Sequence, residues 1–178
     1  TGPGVLGSAA GMDKVISNRL FEQAGIPHCR YRAFSEDDVK NRLDTVMDQI
    51  KADLGFPCFV KPVCAGSSVG VSRAADRGSL AAALNEALTH DRRVIVEEAV
   101  TGREVECAVL GNDIPEASGV GEIIPCNEFY DYEAKYRSDG ASKILIPADL
   151  PEEVTVRVRE YAVRAFRALA CAGMARVD

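Results

Sequence analysis

Val60-Lys61-Pro62-Val63-Cys64-Ala65-Gly66-Ser67-Ser68-Val69-Gly70 is the stretch on which the reading of this chain turns. The apolar run over 57–63 predicts a buried strand that ends in Lys61, and a glycine-serine turn separates it from a short strand at 71–73. An ammonium delivered directly into a Gly-Ser-Ser turn suits oxyanions. Gly66 admits close backbone approach, the amides and hydroxyls of Ser67 and Ser68 donate, and the lysine neutralises charge. The order is not that of the G-x-x-x-x-G-K-[ST] loop, because the lysine precedes the glycine and no helix follows at once. A hairpin turn with a solvated lysine has the same local residues, and these alone do not decide between the two.

Upstream, the glycines and proline of 1–8 read as loop. Met12, Ile16, Leu20 and Ala24 then recur at helical spacing, and Gly25 and Pro27 supply a stop. Residues 29–34 suit a strand. Ser35 before Glu36-Asp37-Asp38 starts a helix with a capping oxygen and acids at the positive end of the dipole. Val39, Leu43, Val46, Met47, Ile50 and Leu54 form its apolar stripe, and Gly55 closes it. Downstream, Leu80, Leu84, Ala87 and Leu88 mark another helix, 94–97 a strand, 104–110 an alternating strand and 118–124 a third. Residues 127–142 show no sustained period and read as a long ordered loop, a type often used for function. Pro151 with Glu152 and Glu153 opens a last helix through Val154, Val158, Tyr161, Ala165 and Leu169. Gly173 ends it, and 174–178 begins a strand. Strands alternating with helices give an α/β or α+β protein, truncated at both ends, since the chain begins in a loop and stops inside a strand.

With 178 residues, 47% hydrophobic and 27% charged, the composition is that of a globular protein. The net charge of −6 argues against nucleic acid as a partner, which calls for a basic face. No apolar run approaches the ~20 residues a bilayer requires, so no membrane is expected, and the N-terminus carries no signal-peptide pattern. The six cysteines, at 29, 58, 64, 107, 126 and 171, are irregularly spaced without a C-x-x-C pair, which predicts reduced thiols in a cytoplasmic protein.

Other residues are candidates for chemistry. Glu97 and Glu98 end an apolar strand, where acids can hold a ribose or an adenine amino group; a wet strand end explains them as well, and Glu104 at the start of the next strand is equally ambiguous. Phe129-Tyr130-Asp131-Tyr132-Glu133-Ala134-Lys135-Tyr136 concentrates aromatic and ionic groups in a loop, as a substrate-covering flap or a surface hairpin would. Arg176 and Asp178 project from one strand face. They are either a plain salt bridge or a guanidinium for an oxyanion beside a carboxylate for Mg²⁺.

Taken in order, these pieces resemble the D-alanine–D-alanine ligases of the ATP-grasp superfamily over essentially the whole chain. The resemblance rests on Gly7-Ser8 with Met12-Asp13-Lys14, on Val60-Lys61-Pro62 with the Gly66–Gly70 turn, and on Val96-Glu97-Glu98 with Gly102 and Glu104. The stretch from Phe129 to Tyr136 and Arg176-Val177-Asp178 complete it. It implies an ATP-grasp fold, with 1–97 as the central subdomain and 98–178 as the first part of the C-terminal subdomain, including the covering loop 127–142. It implies that Lys14 and Lys61 bind ATP phosphates and that Ser68 belongs to the phosphate-covering loop. Glu97, Glu98 and Val100 would line the adenine pocket, and Glu104 would hold the ribose. Lys135 would reach the γ-phosphate, and Ser67 and Tyr136 would belong to a network closing the site. Arg176 would stabilise a tetrahedral oxyanion, and Asp178 would be the first ligand of Mg²⁺ (or Mn²⁺).

The implied reaction joins two D-alanine molecules through an acyl phosphate, for peptidoglycan precursors, in a homodimer. A D-alanine–D-serine or D-alanine–D-lactate ligase is the nearest alternative, although Tyr132 and Tyr136 around Lys135 look more like the D-alanine–D-alanine type. A non-catalytic ATP-binding module is the alternative from another class. Family members are considerably longer and supply a glutamate from an N-terminal lobe, and a glutamate and an asparagine for magnesium, from segments this chain does not contain. The fragment alone is therefore expected to bind nucleotide at most.

Overall fold

The computed structural model describes residues 2–124 and 143–178, and these belong to two compact units. One comprises Met12–Val15 and His28–Thr101; the other comprises Thr1–Gly11, Ile16–Pro27 and Gly102–Asp178. Among the described residues all strand pairs are antiparallel, the α+β form of the expected class.

The unit containing Lys61 is a four-stranded sheet, ordered β1 (Tyr31–Ser35), β4 (Arg93–Glu98), β2 (Cys58–Pro62), β3 (Ser72–Ala74). Two helices, α3 (Glu36–Asp53) and α4 (Arg77–Leu88), cover one face. Each begins with a reciprocal cap. The Asp38 N–H donates to Ser35 Oγ at 3.1 Å while the Ser35 N–H donates to Asp38 Oδ2 at 2.9 Å. Asp76 and Ser79 repeat the arrangement at α4. Such boxes satisfy two of the amides that a helix start leaves orphaned. The stripe of α3 is buried at Val39, Val46, Met47 and Ile50, and α4 buries Leu80, Ala83, Leu84 and Ala87 against Cys58, Val60, Val94 and Val96.

In the second unit β5 (Glu104–Gly111) is central, with β6 (Glu116–Ala117), β7 (Gly121–Ile124) and β9 (Gly173–Val177) paired to it and β8 (Lys143–Leu145) paired to β7. Helix α5 (Glu152–Ala168) packs Ala162 and Phe166 on Cys107 and Val109. Among the described residues the remaining helices are α1 (Gly4–Met12) and α2 (Lys14–Gln23).

Two expectations are corrected. Residues 4–8 are helical, not loop. Gly7 owes its place to packing: a Cβ there would lie 3.1 Å from the Cys171 Cα, so the glycine records a close approach of chains and not a turn. Helix α5 ends at Ala168, short of Gly173. Ala170 takes the left-handed position (φ 51) and the Cys171 N–H donates to Phe166 O at 3.0 Å, a Schellman closure that usually carries glycine. The five cysteines described, Cys29, Cys58, Cys64, Cys107 and Cys171, are free thiols. Among the described residues no helix is long and apolar enough to cross a membrane.

Candidate functional site

Strand alternation gives the lysine-bearing sheet two chemically different faces. Val60 and Val96 are register partners, as are Pro62 and Val94, and these valines meet α3 and α4. The partners one step away, Lys61 with Ile95 and Phe59 with Glu97, therefore point to the opposite face. There Lys61 Nζ donates to Glu97 Oε2 at 2.5 Å, with the side chains 27% and 14% exposed. Val63, Ile95 and Val15 form a small apolar floor beside the pair, with Tyr31 packed against it.

Lys14 reaches the same place from the first turn of α2. Its N–H donates to Val63 O at 3.2 Å, and its Nζ donates to Pro62 O (3.0 Å), Val63 O (3.3 Å) and Ala65 O (2.6 Å). Burial first, and the Lys61 charge second, push the Lys14 ammonium below the ordinary lysine range. Where two ammonium groups disfavour each other, an anion between them would be favoured.

The turn after β2 is unusual in its backbone. Ser67 and Ser68 both take left-handed conformations, φ 54 and 60, followed by Gly70 at φ 67. The Val69 N–H donates to Gly66 O at 3.1 Å and the Val71 N–H to Ser68 O at 3.3 Å. Two consecutive left-handed residues with side chains cost about 1–2 kcal/mol each, and such outliers cluster at ligand clamps. Gly70 is required: a Cβ there would lie 2.4 Å from the His90 ring and 2.8 Å from Pro62 Cγ.

Of the remaining sequence candidates in this unit, Glu98 alternates to the other sheet face. Its carboxylate accepts from the Arg30 N–H (2.8 Å) and Arg30 Nε (2.7 Å), which hold it below the usual carboxylate range. Its side chain is thus engaged away from Lys61 and Glu97. Val100 follows β4 with an apolar side chain 67% exposed.

In the other unit, β5 and β9 also divide by face. Cys107 and Val109 meet α5, whereas Glu104, Glu106, Ala108 and Leu110 face the other way, with Arg176 opposite Ala108. Arg176 and Asp178 share a face, as alternation predicts, and are paired through Nε–Oδ1 (2.8 Å) and Nη2–Oδ2 (3.1 Å). Glu106, which sequence reading passed over, lies under them: its Oε2 is 3.1 Å from Arg176 Nε, near enough to be an ion pair but not aligned as a hydrogen bond. Its signal was available, two residues after Glu104 on the same strand. Lys135, Tyr136 and the rest of loop 127–142 lie outside the described residues. Among the described residues no three acidic, histidine or cysteine side chains converge as a metal site.

An all-antiparallel sheet with two helices on one face and an ammonium-lined serine turn on the other defines a chain of the ATP-grasp type, and solved structures of that type share its fold. The crystal structure of the VanG D-Ala:D-Ser ligase from Enterococcus faecalis matches with a TM-score of 0.87 at 40% identity, covering 99% of this chain and 50% of that one. The D-alanine–D-alanine ligase from Coxiella burnetii matches at 0.80 and 33% identity, covering 99% and 45%. The family described as "D-ala D-ala ligase C-terminus" matches residues 20–178, and the chain belongs to it. Curated D-alanine–D-alanine ligases from Ruminiclostridium cellulolyticum and Acetivibrio thermocellus are 57% and 56% identical over 99% of this chain. The chain spans 47% of the length of each.

Proposed function

We propose that the protein carrying this chain joins two D-alanine molecules with the hydrolysis of ATP to ADP and phosphate, in the supply of peptidoglycan precursors in the cytoplasm. The observation that carries the reading is the convergence of Lys14, Lys61 and the left-handed Ser67–Ser68 turn at the end of β2.

The donor set fits a triphosphate. The chemistry demands that a carboxylate approach a polyanion, and repulsion must be cancelled at that moment. Lys14 and Lys61 supply fixed positive charge, and Ser68 with its neighbouring amides covers the phosphates. Glu97 holds Lys61 in place, and the chain around Glu98 and Val100 is assigned to the adenine, with Glu104 assigned to the ribose. The carboxylate of the first D-alanine attacks the γ-phosphorus, forming an acyl phosphate and releasing ADP. The amine of the second D-alanine then adds to the acyl carbon and phosphate departs. Arg176 is assigned to the developing oxyanion, and Lys135, Ser67 and Tyr136 to closing the site against water. A bound Mg²⁺ or Mn²⁺ would screen phosphate charge. Asp178 is the residue here that would ligate it. The partition at residue 97 belongs to this same reading, as does a homodimer.

A second reading, D-alanine–D-serine ligation, is favoured by the likeness to the VanG structure. The test is to incubate the intact protein with ATP, Mg²⁺ and D-alanine, alone and with D-serine or D-lactate, and to identify products by mass spectrometry. D-Alanyl-D-alanine formed in equal amount with ADP and phosphate is the expected result. Dipeptide only in the presence of D-serine establishes the second reading, and ADP without any ligated product removes both.

A further inference from the structure

Residues Met12–Val15 are tied to the lysine-bearing sheet by a network of side-chain and backbone hydrogen bonds. Asp13 uses both carboxylate oxygens. Oδ1 accepts from the Val15 N–H at 3.0 Å, capping the helix, and Oδ2 accepts from Arg93 Nη2 at 2.5 Å. The aspartate side chain is 16% exposed and that of Arg93 37%, so the pair is partly withdrawn from water. Arg93 opens β4, and its carbonyl accepts from the Val63 N–H at 3.1 Å, while Val63 O in turn accepts from the Lys14 N–H. Cys64 completes the circuit: its N–H donates to Asp91 Oδ2 at 2.6 Å, and its sulfur lies 3.5 Å from Arg93 Nη2 and 3.7 Å from Asp13 Oδ2.

The consequence is geometric. Residues 63–65 are the entrance to the Gly-Ser turn. Asp91, Arg93 and Lys14 all bond to their backbone, the Lys14 ammonium being directed at three carbonyls, of Pro62, Val63 and Ala65. An N-terminal cap sets where a helix starts but not where its first turn sits laterally on a neighbouring strand. A charge-assisted bond to a residue of β4 sets that position.

We propose that Asp13 and Arg93 are positioning residues for phosphate recognition: their ion pair seats the Met12–Val15 segment on β4, so that Lys14 is held at the exit of β2 beside Lys61. This rests on the reading that Lys14 and Lys61 hold ATP phosphates. The arrangement separates the roles of three neighbours. Lys14 meets the ligand, Asp13 and Arg93 do not, and their loss acts only through where Lys14 stands.

The test uses steady-state kinetics of the intact protein. Asp13→Asn keeps an oxygen able to cap α2 but removes the charge, and Arg93→Met removes the partner while keeping the stem. Each raises KM for ATP about tenfold, equivalent to about 1.4 kcal/mol. In each, kcat and KM for D-alanine stay within about twofold, the pattern of lost uniform binding of one substrate. In a Lys14→Ala background, adding Asp13→Asn changes KM for ATP by less than about twofold, because the two act as one unit. Full multiplication of the two effects in that background overturns the proposal. So does an unchanged KM in Asp13→Asn and Arg93→Met while Lys14→Ala raises it. If Lys14→Ala itself leaves KM for ATP unaltered, the phosphate role of Lys14 falls, and the positioning role with it.

Discussion

Replacing Lys61 with methionine separates its contribution to the fold from its contribution to nucleotide binding. At 2.5 Å from Glu97, Coulomb's law with an effective dielectric constant of about 20 gives roughly 7 kcal/mol of gross attraction. Most of this offsets the desolvation of the two ions, and removing one partner of a buried pair costs about 3–5 kcal/mol through the charge left behind. With the side chains 27% and 14% exposed, water relieves part of that, and a loss of about 2–3 kcal/mol is expected for Lys61→Met. At about 2–4 °C per kcal/mol, the melting transition of the intact protein falls by roughly 4–12 °C. Adding Glu97→Gln removes the stranded carboxylate, so the double variant recovers more than half of the loss. Nucleotide affinity follows a different order: it is weak in both variants, because both lack the ammonium. Scanning calorimetry and nucleotide titration of the single and double variants measure the two properties separately. A Lys61→Met protein as stable as the wild type, or a double variant less stable than the single one, would refute the reasoning.

Three further outcomes are expected. Leu84→Ala, at a fully buried position between α4 and the sheet, costs about 2–5 kcal/mol, measured by denaturant unfolding; a loss below about 1 kcal/mol would contradict the core assignment. On acidification, Glu122 matters because hydrogen bonds from Arg103 lower its folded pKa. A depressed carboxylate contributes stability above its unfolded pKa and loses it as pH falls through the folded value. Stability therefore declines below the ordinary glutamate range, and Glu122→Gln flattens that decline; a parallel pH profile in the variant would speak against it. Glu106→Gln, which removes the charge beneath Arg176, lowers kcat several-fold with little change in KM for ATP, and equal activity in the variant would show that Arg176 does not depend on it.

Local signals were sufficient where a helix carries its own start and stripe. Ser35, the acids after it and the 3.6-residue spacing of Val39, Val46 and Ile50 gave α3, and the apolar repeat from Leu80 to Ala87 gave α4. They failed where the reason for a residue lies elsewhere in the chain. Gly7 looks like loop in sequence but records contact with Cys171, and Ala170 closes α5 without the glycine that normally announces such an end. Strands β6 and β8, two and three residues long, are too short for a period to show.

The candidate site divides in the same way. Lys61, Ser67 and Ser68 were legible because they are contiguous, and Arg176 with Asp178 because alternation places them together. Glu97 and Glu98 read together in sequence as acids at a strand end; in the structure these adjacent residues face opposite ways and Arg30 takes the Glu98 carboxylate. Asp13 and Arg93 could not be read as a pair, since 80 residues separate them.

The central claim, that the end of β2 is a triphosphate site, is tested most directly by calorimetric titration of Mg·ATP into the intact protein and its Lys14→Ala and Lys61→Met variants. Each substitution is expected to weaken binding by about tenfold or more, the scale of a charge-assisted contact. Equal affinity in all three proteins, with the variants folded, would contradict it.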